Sequence, residues 1–150
     1  MNKNLTELLQ KKQKSASGVA VDWDGRRNKY LEAVNELYNQ TRTILADPID
    51  LNTISVRLHP KKLSEDYIGT YSVDDLILSI GDEQVRFSPR GRNTAGVVGR
   101  VDVVGERAEA ILIYQPESGW AFVKTRQPSV RTEPFNEATL TEVLQLVMRS

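Results

Sequence analysis

Residues Val73 to Thr125 read VDDLILSIGDEQVRFSPRGRNTAGVVGRVDVVGERAEAILIYQPESGWAFVKT. Short runs in which apolar and polar residues alternate are separated here by turn-forming residues, as where Val85 and Phe87 follow Gly81-Asp-Glu83. This alternation predicts strands with one buried face. Because the connections are short, sequential strands are expected to pair antiparallel, which gives a meander.

Together with residues 53–59, this stretch predicts six strands. Their expected bounds are 53–59, 73–80, 84–88, 97–104, 109–115 and 120–125. Gly99 lies inside the fourth strand and predicts a bulge or a sharp bend there. The polar residues 60–72 are expected to form a connection that Tyr67 and Tyr71 anchor against the core. Residues 126–134 contain two prolines and are expected to be extended and irregular.

Helices are predicted on both sides of the strands. From Asp24, the expected N-cap, to Ala46, apolar residues recur with helical periodicity and form one stripe. Asp47-Pro48 is expected to end this helix, because the residue before a proline is displaced from helical geometry. Asn136 is the expected cap of a C-terminal helix. The predicted fold class is α+β: a six-stranded antiparallel meander, either a twisted sheet or a half-barrel, packed against a long helix in the N-terminal half and the C-terminal helix.

The chain divides into two parts in this interpretation. Residues 1–18 are expected to form an N-terminal helical arm, and residues 19–150 a single α+β domain. The arm begins with a capping-box pattern at Asn4 and Glu7, and it ends at the break from Ser15 to Gly18. It is interpreted either as a mobile amphipathic arm or as a helix that docks on a partner.

Composition limits the classes of function. The chain has 150 residues, 39% of them apolar, a formal net charge of zero and no cysteine. The absence of cysteine excludes disulfides, a thiolate nucleophile and cysteine-based zinc sites. No apolar run approaches the roughly 20 residues that a membrane-spanning helix needs, and the N-terminus lacks the apolar core of a signal peptide. We therefore expect a cytoplasmic protein without a membrane partner.

Charge is segregated along the chain even though its sum is zero. Residues 86–107 contain five arginines and two acidic residues, and residues 1–30 contain seven basic and three acidic residues. Residues 61–85 have the opposite balance, with two lysines and six acidic residues. If the basic segments share one face, their side chains would bind phosphates or a protein of complementary charge. The candidate residues for this contact are Arg86, Arg90, Arg92, Arg100, Lys11, Lys12 and Lys14.

The sequence matches no strong chemical motif. The Gly-rich segment 89–100 lacks the Lys-Ser/Thr pair of a Walker A loop and the spacing of a dinucleotide fingerprint, so no cofactor is expected. His59 is the only histidine, and no nucleophile elbow accompanies it. In the acidic pairs Glu65-Asp66 and Asp74-Asp75, adjacent strand residues would point to opposite faces. Neither pair is therefore a ready-made catalytic dyad, and no metal site is expected.

Trp120 begins the last predicted strand, directly after Gly119. Two interpretations are open for its side chain. It is either a core residue or a half-exposed anchor of a protein interface, where tryptophan is enriched among the energetically important residues.

Three functional hypotheses follow. The first is a small non-catalytic module that binds a macromolecular partner, most simply a protein, and an exposed sheet edge would also permit a homodimer. The second is a nucleic-acid-binding module that uses the Arg- and Gly-rich segment 86–107. Phe87 is the only aromatic residue among those arginines, which gives little support for base stacking. The third is an enzyme whose carboxylates converge from distant positions in a concave pocket.

Overall fold

A computed structural model describes residues 23–92, 99–125 and 128–149, with only the backbone of Arg92 described. The predicted arm of residues 1–18, with Lys11, Lys12 and Lys14, lies outside the described residues. Residues 93–98 of the Gly-rich segment lie outside them as well.

The described residues form three helices and one sheet of seven strands. The helices are α1 (Trp23–Ile44), α2 (Ala46–Asp50) and α3 (Glu137–Val147), and the strands are β1 (Ile54–Glu65), β2 (Gly69–Ile80), β3 (Glu83–Arg92), β4 (Gly99–Val104), β5 (Glu109–Gln115), β6 (Gly119–Thr125) and β7 (Arg131–Pro134). The strands follow one another in the sheet in chain order, each antiparallel to the next, and the sheet is open. The predicted α+β class, with an antiparallel meander and two flanking helices, is confirmed.

The prediction was wrong in the number and the length of the strands. The predicted connection 60–72 belongs to a long hairpin, since β1 extends to Glu65, which stands opposite Gly69 at the start of β2. Polar residues are tolerated there because an antiparallel sheet can leave one face in water. The seventh strand, β7, pairs with β6 in the stretch that was expected to be irregular. Its proline is compatible with a strand at the sheet edge.

The two tyrosines of the β1–β2 hairpin have different environments. Tyr71 is 8% exposed and belongs to the core, as predicted, whereas Tyr67 is 84% exposed. Tyr67 lies in the turn and stacks on Trp23, with the ring centroids 5.3 Å apart. Tyr67 therefore joins the tip of the hairpin to the start of α1 instead of anchoring it in the core.

The bounds of the long helix differ from the prediction. Trp23, the first described residue, is already helical, so Asp24 lies within the helix and not at its N-cap, and its charge near the N-terminal end suits the helix dipole. α1 also ends earlier, and Pro48 lies in the first turn of α2, where its missing N–H costs no helical hydrogen bond. The cap of α3 is confirmed, because Asn136 Oδ1 accepts a hydrogen bond from Thr139 N at 3.0 Å.

The bulge that Gly99 was expected to form lies on the neighbouring strand. The β3–β4 register shifts between Pro89 and Gly91, whereas Gly99 pairs regularly with Tyr114 on β5. A Cβ atom at Gly99 would lie 2.9 Å from Cδ1 of Tyr30. The glycine therefore allows α1 to approach the sheet closely.

One face of the sheet packs against α1 and α3 to form the core. Alternate residues of the central strands are fully buried on this face, including Leu78, Phe87 and Val103. They form one cluster with the stripe of α1 around Leu37 and with Leu140 on α3. Burial of each such side chain contributes roughly 1.5–3 kcal/mol. The residues that alternate with them lie on the opposite face of the sheet, which carries polar side chains and also apolar ones such as Ile77, which is 1% exposed.

Candidate functional site

Three of the predicted arginines lie together on the sheet face opposite the helices. On β3, Arg86 alternates with the buried Phe87, and on β4, Arg100 alternates with the buried Val101. Arg90 lies at the register shift of β3, and its side chain reaches the same face. We call this surface the arginine face; it comprises Lys61, Asp75, Arg86, Ser88, Arg90, Arg100 and Asp102.

Two of these arginines share one buried carboxylate. Asp102 is 3% exposed. Its Oδ1 accepts a hydrogen bond from Arg100 Nε at 2.7 Å, and its Oδ2 accepts one from Arg90 Nε at 3.0 Å. The side chains of Arg90 and Arg100 are 51% and 44% exposed. The carboxylate is therefore enclosed, while about half of each arginine side chain is exposed to solvent.

A second buried carboxylate lies beside the first. Asp75 is 2% exposed, and its Oδ1 is 2.8 Å from Lys61 Nζ. Within the described part of the chain no donor reaches this oxygen with hydrogen-bond geometry, so the Lys61 charge is what compensates it. Lys61 Nζ also donates to Ser88 Oγ at 2.7 Å, and Arg86 Nη1 lies 3.6 Å from Asp75 Oδ2. Ser88 stands opposite Asp102 in the β3–β4 register and so connects the two charge clusters.

The arrangement gives the arginine face an excess of positive charge. Four basic side chains surround two carboxylates. Among the described residues, Arg90 uses only its Nε for Asp102, and the planar fork of its terminal nitrogens is left to bind a carboxylate or a phosphate in bidentate fashion. The other two arginines are contacted at a terminal nitrogen as well, because Arg100 also donates from Nη2 to Asp102 Oδ2 and Arg86 faces Asp75 through Nη1.

Tyr30 connects the helix layer to this face. Its Oη donates to Arg100 O at 2.7 Å and accepts from Gly91 N at 3.0 Å, so α1 holds the strand ends that carry Arg90 and Arg100. Tyr38, farther along α1, donates a similar hydrogen bond from its Oη to Asp74 O at 2.6 Å. Burial raises the pKa of both tyrosine hydroxyls well above the ordinary value.

These two tyrosines predict a loss of stability at alkaline pH. An unfolded tyrosine ionises near pH 10, whereas the buried hydroxyls keep their protons, so the unfolded state releases protons first. Below about pH 10 the two tyrosines contribute fully to the free energy of unfolding. Above about pH 10 this free energy should fall by up to about 1.4 kcal/mol per pH unit for each tyrosine. Urea unfolding between pH 8 and pH 11 tests this. Tyr38→Phe should reduce the slope, and an unchanged slope in that variant would contradict the assignment.

Aliphatic side chains border the arginine face. The outward residues of β4, β5 and β6 next to it are partly buried and apolar, namely Val104, Ile111, Ile113, Ala121 and Val123. None of the described outward residues of β3 to β6 is aromatic. The surface thus combines fixed arginines with an aliphatic patch and offers no ring on which a base would stack.

The other predicted site residues lie elsewhere. Trp120 is 4% exposed and donates from Nε1 to Ala33 O at 2.7 Å, so its indole belongs to the core, one of the two environments left open by the sequence. Arg107, which belongs to the basic segment 86–107, donates from Nε to Leu146 O at 3.1 Å at the C-terminal end of α3. That position suits a cation because the last carbonyls of a helix lack helical partners.

The helix layer carries the opposite charge. A groove of about 700 Å³ runs between α1 and the start of α3, and its lining includes Glu32, Glu36 and Glu137. Among the residues that the structure describes, no group of three or more His, Asp or Glu side chains is placed to hold a metal ion. His59 lies exposed on β1, opposite the ion-paired Asp75.

Sequence reasoning missed Lys61, Asp75 and Asp102 as members of the site. A signal was present at Asp102, because a lone acid between Val101 and Val103 on a strand must either face water or pair with a cation. The spacing of Arg100 and Asp102, two residues apart on one strand, also places them on one face. The contacts of Asp102 with Arg90 and of Asp75 with Lys61 and Arg86 join different strands, so they depend on a register that the sequence does not show.

The described part of the chain contains no helix of the length and apolarity that crossing a membrane requires. Comparisons of the chain with protein-family models, with curated proteins and with solved structures gave no significant match.

Proposed function

We propose that this chain is a non-catalytic binding module that recognises an acidic surface of a partner protein through the arginine face. One observation carries the proposal: buried Asp102 hydrogen-bonds Arg90 and Arg100, buried Asp75 lies 3.6 Å from Arg86, and all three arginine side chains on this face remain about half exposed. Arginines fixed in advance lose little side-chain entropy on binding, so more of the interaction energy remains available for affinity.

The surroundings of the arginines favour a protein over a nucleic acid. Arginine and partly buried aliphatic residues together are typical of protein interfaces, where an apolar centre adjoins polar groups. Single-stranded nucleic acid is bound by aromatic platforms, and the described outward residues of β3 to β6 provide none. The acidic groove on the opposite layer would repel a polyanion that extended around the molecule.

Nucleic-acid binding is the second candidate, and the excess positive charge of the arginine face supports it. It would use Arg86, Arg90 and Arg100 on phosphates, with Arg92, Lys11, Lys12 and Lys14 as further candidates. In that case affinity for any sequence would fall steeply with salt, and Arg90→Gln would reduce the slope of log affinity against log salt by about one.

The decisive experiment is an affinity pull-down of the tagged chain from its own cells, with and without nuclease, using the native sequence and Arg90→Gln. Arg100 remains to compensate Asp102 in this variant, so the fold is retained. Loss of one charge-assisted hydrogen bond removes about 1.5 kcal/mol or more, so we expect a partner protein that survives nuclease and is retained at least about tenfold less by the variant. Arg42→Gln, at an exposed position on α1, is the matched control.

Each other outcome changes the assignment. A partner that disappears with nuclease would make the nucleic-acid hypothesis the first one. A partner retained equally by Arg90→Gln and the native chain would exclude the arginine face as the contact surface. If neither nuclease condition yields a partner, the groove lined by Glu32, Glu36 and Glu137 becomes the site to test for a small-molecule ligand, as the enzyme hypothesis requires.

A further inference from the structure

The outer edge of β1 is the longest unpaired backbone edge in the described sheet. β1 has 12 residues and pairs only with β2, whereas β7 at the opposite edge has four residues. A free edge presents a row of N–H and C=O groups that another extended chain can use. The edge of β1 is therefore geometrically suited to receive an additional strand.

Basic residues alternate along β1 on the side of the arginine face. The register places Arg57 opposite Ile77, which is opposite Arg86, so these three residues form one row across the sheet. His59 and Lys61 follow at the next two positions that point to the same side. Basic side chains therefore lie on both sides of Ile77 in this row, at Arg86 on β3 and at Arg57 on the edge strand.

We infer that the partner contributes an extended acidic segment that pairs with the outer edge of β1, with carboxylates at alternate positions. This inference rests on the proposed function and specifies the chemistry of its partner. Directly opposite residues of neighbouring antiparallel strands have Cβ atoms about 4.5–5.5 Å apart. Carboxylates at every second residue of the added strand would therefore stand beside Arg57 and His59.

The same charges disfavour pairing with a second copy of this chain. In a two-fold antiparallel β1 pair centred on residue 57 or residue 59, with both arginine faces on one side, Arg57 would stand opposite Arg57 or Lys61 of the other copy. Like charges directly opposite each other destabilise a sheet. Basic residues at an edge are a common protection against self-association, and this protection does not act against an acidic strand.

Pro60 and Leu58 define the useful part of the edge. Pro60 lacks an N–H and interrupts the row of donors, so the continuous part runs over residues 54–59. Leu58, 45% exposed, points to the other side of the sheet from Arg57 and offers an apolar contact there. The added strand is therefore expected to alternate acidic residues with apolar ones.

Two capped nine-residue peptides of identical composition test this inference. One alternates glutamate with valine and threonine, and the other has its four glutamates in one block. Each is titrated into the ¹⁵N-labelled full chain at low salt, and amide hydrogen exchange is measured by NMR. We expect the alternating peptide to slow exchange of edge-facing β1 amides within residues 54–59 by at least about tenfold, and the block peptide to shift only the arginine Nε signals.

Variants locate the contact on the edge. Arg57→Glu should abolish the protection of the β1 amides, and Arg42→Glu, at an exposed position on α1, should leave it intact. If both peptides shift only arginine Nε signals, the strand pairing is overturned while the proposed function stands. If exchange of the β1 amides is already slow without peptide, and becomes slower as the protein concentration rises, the edge pairs with a second copy. That result would overturn the inference that an acidic segment of a partner pairs there. If neither peptide produces any response, both the inference and the recognition of acidic segments fail.

Discussion

The double substitution Arg90→Gln and Arg100→Gln should lower the free energy of unfolding by about 3 kcal/mol, whereas each single substitution should cost about 1 kcal/mol or less. Either arginine alone still faces the Asp102 carboxylate, which is 3% exposed. Removing both leaves a buried negative charge without a cation. The two changes should therefore be strongly non-additive, as expected for residues that share one partner.

Urea unfolding of the four proteins in this mutant cycle measures the coupling. A third change, Asp102→Asn, removes the buried charge and should restore most of the stability of the double variant. If the double variant loses only the sum of two small single effects, Asp102 does not depend on its arginines for compensation. In that case the arginine face would be an ordinary solvated surface, and the contacts with buried aspartates would no longer support the proposed function.

Gly105→Ala should destabilise the chain by about 3 kcal/mol, because the new side chain meets backbone that cannot move freely. A Cβ atom at Gly105 would lie 2.2 Å from Val147 O and 2.6 Å from Val147 C. That carbonyl accepts hydrogen bonds from Arg107 N at 2.9 Å and Ala108 N at 3.3 Å. Making room for a methyl group therefore requires the end of α3 to move and these bonds to weaken.

Gly81→Ala is the matched control for this substitution. Gly81 has a φ of +61° in the β2–β3 turn, but a Cβ atom there would meet nothing within 4 Å. Gly81→Ala should therefore lower the free energy of unfolding by about 1–2 kcal/mol, through the strain of a positive φ at alanine alone. In thermal unfolding, Gly105→Ala should have a melting temperature roughly 10 °C below that of the native chain. The melting temperature of Gly81→Ala should lie between these two values. The reverse ranking would show that α3 adjusts easily and that Gly105 is not a packing constraint.

The sequence determined the fold class because its signals are local. Alternation such as that of Val85 and Phe87 with Gln84 and Arg86 specifies a strand and its buried face, and Asn136 specifies a helix start through a bond to a residue three positions away. Such signals failed where contacts are not local. The polar stretch 60–72 contains few apolar residues, yet it forms strand because β1 and β2 pair with each other along their whole length.

The candidate arginines were also identified from the sequence, because a cluster of basic residues is visible in the chain order. What the sequence alone left open was whether they share a surface and what holds them. The register of the sheet places Arg86, Arg90 and Arg100 on one face, and the tertiary structure adds Asp75, Asp102 and Lys61. A charge becomes buried only when distant strands enclose it, so burial, and with it the fixed geometry of the arginines, was decided by the tertiary structure.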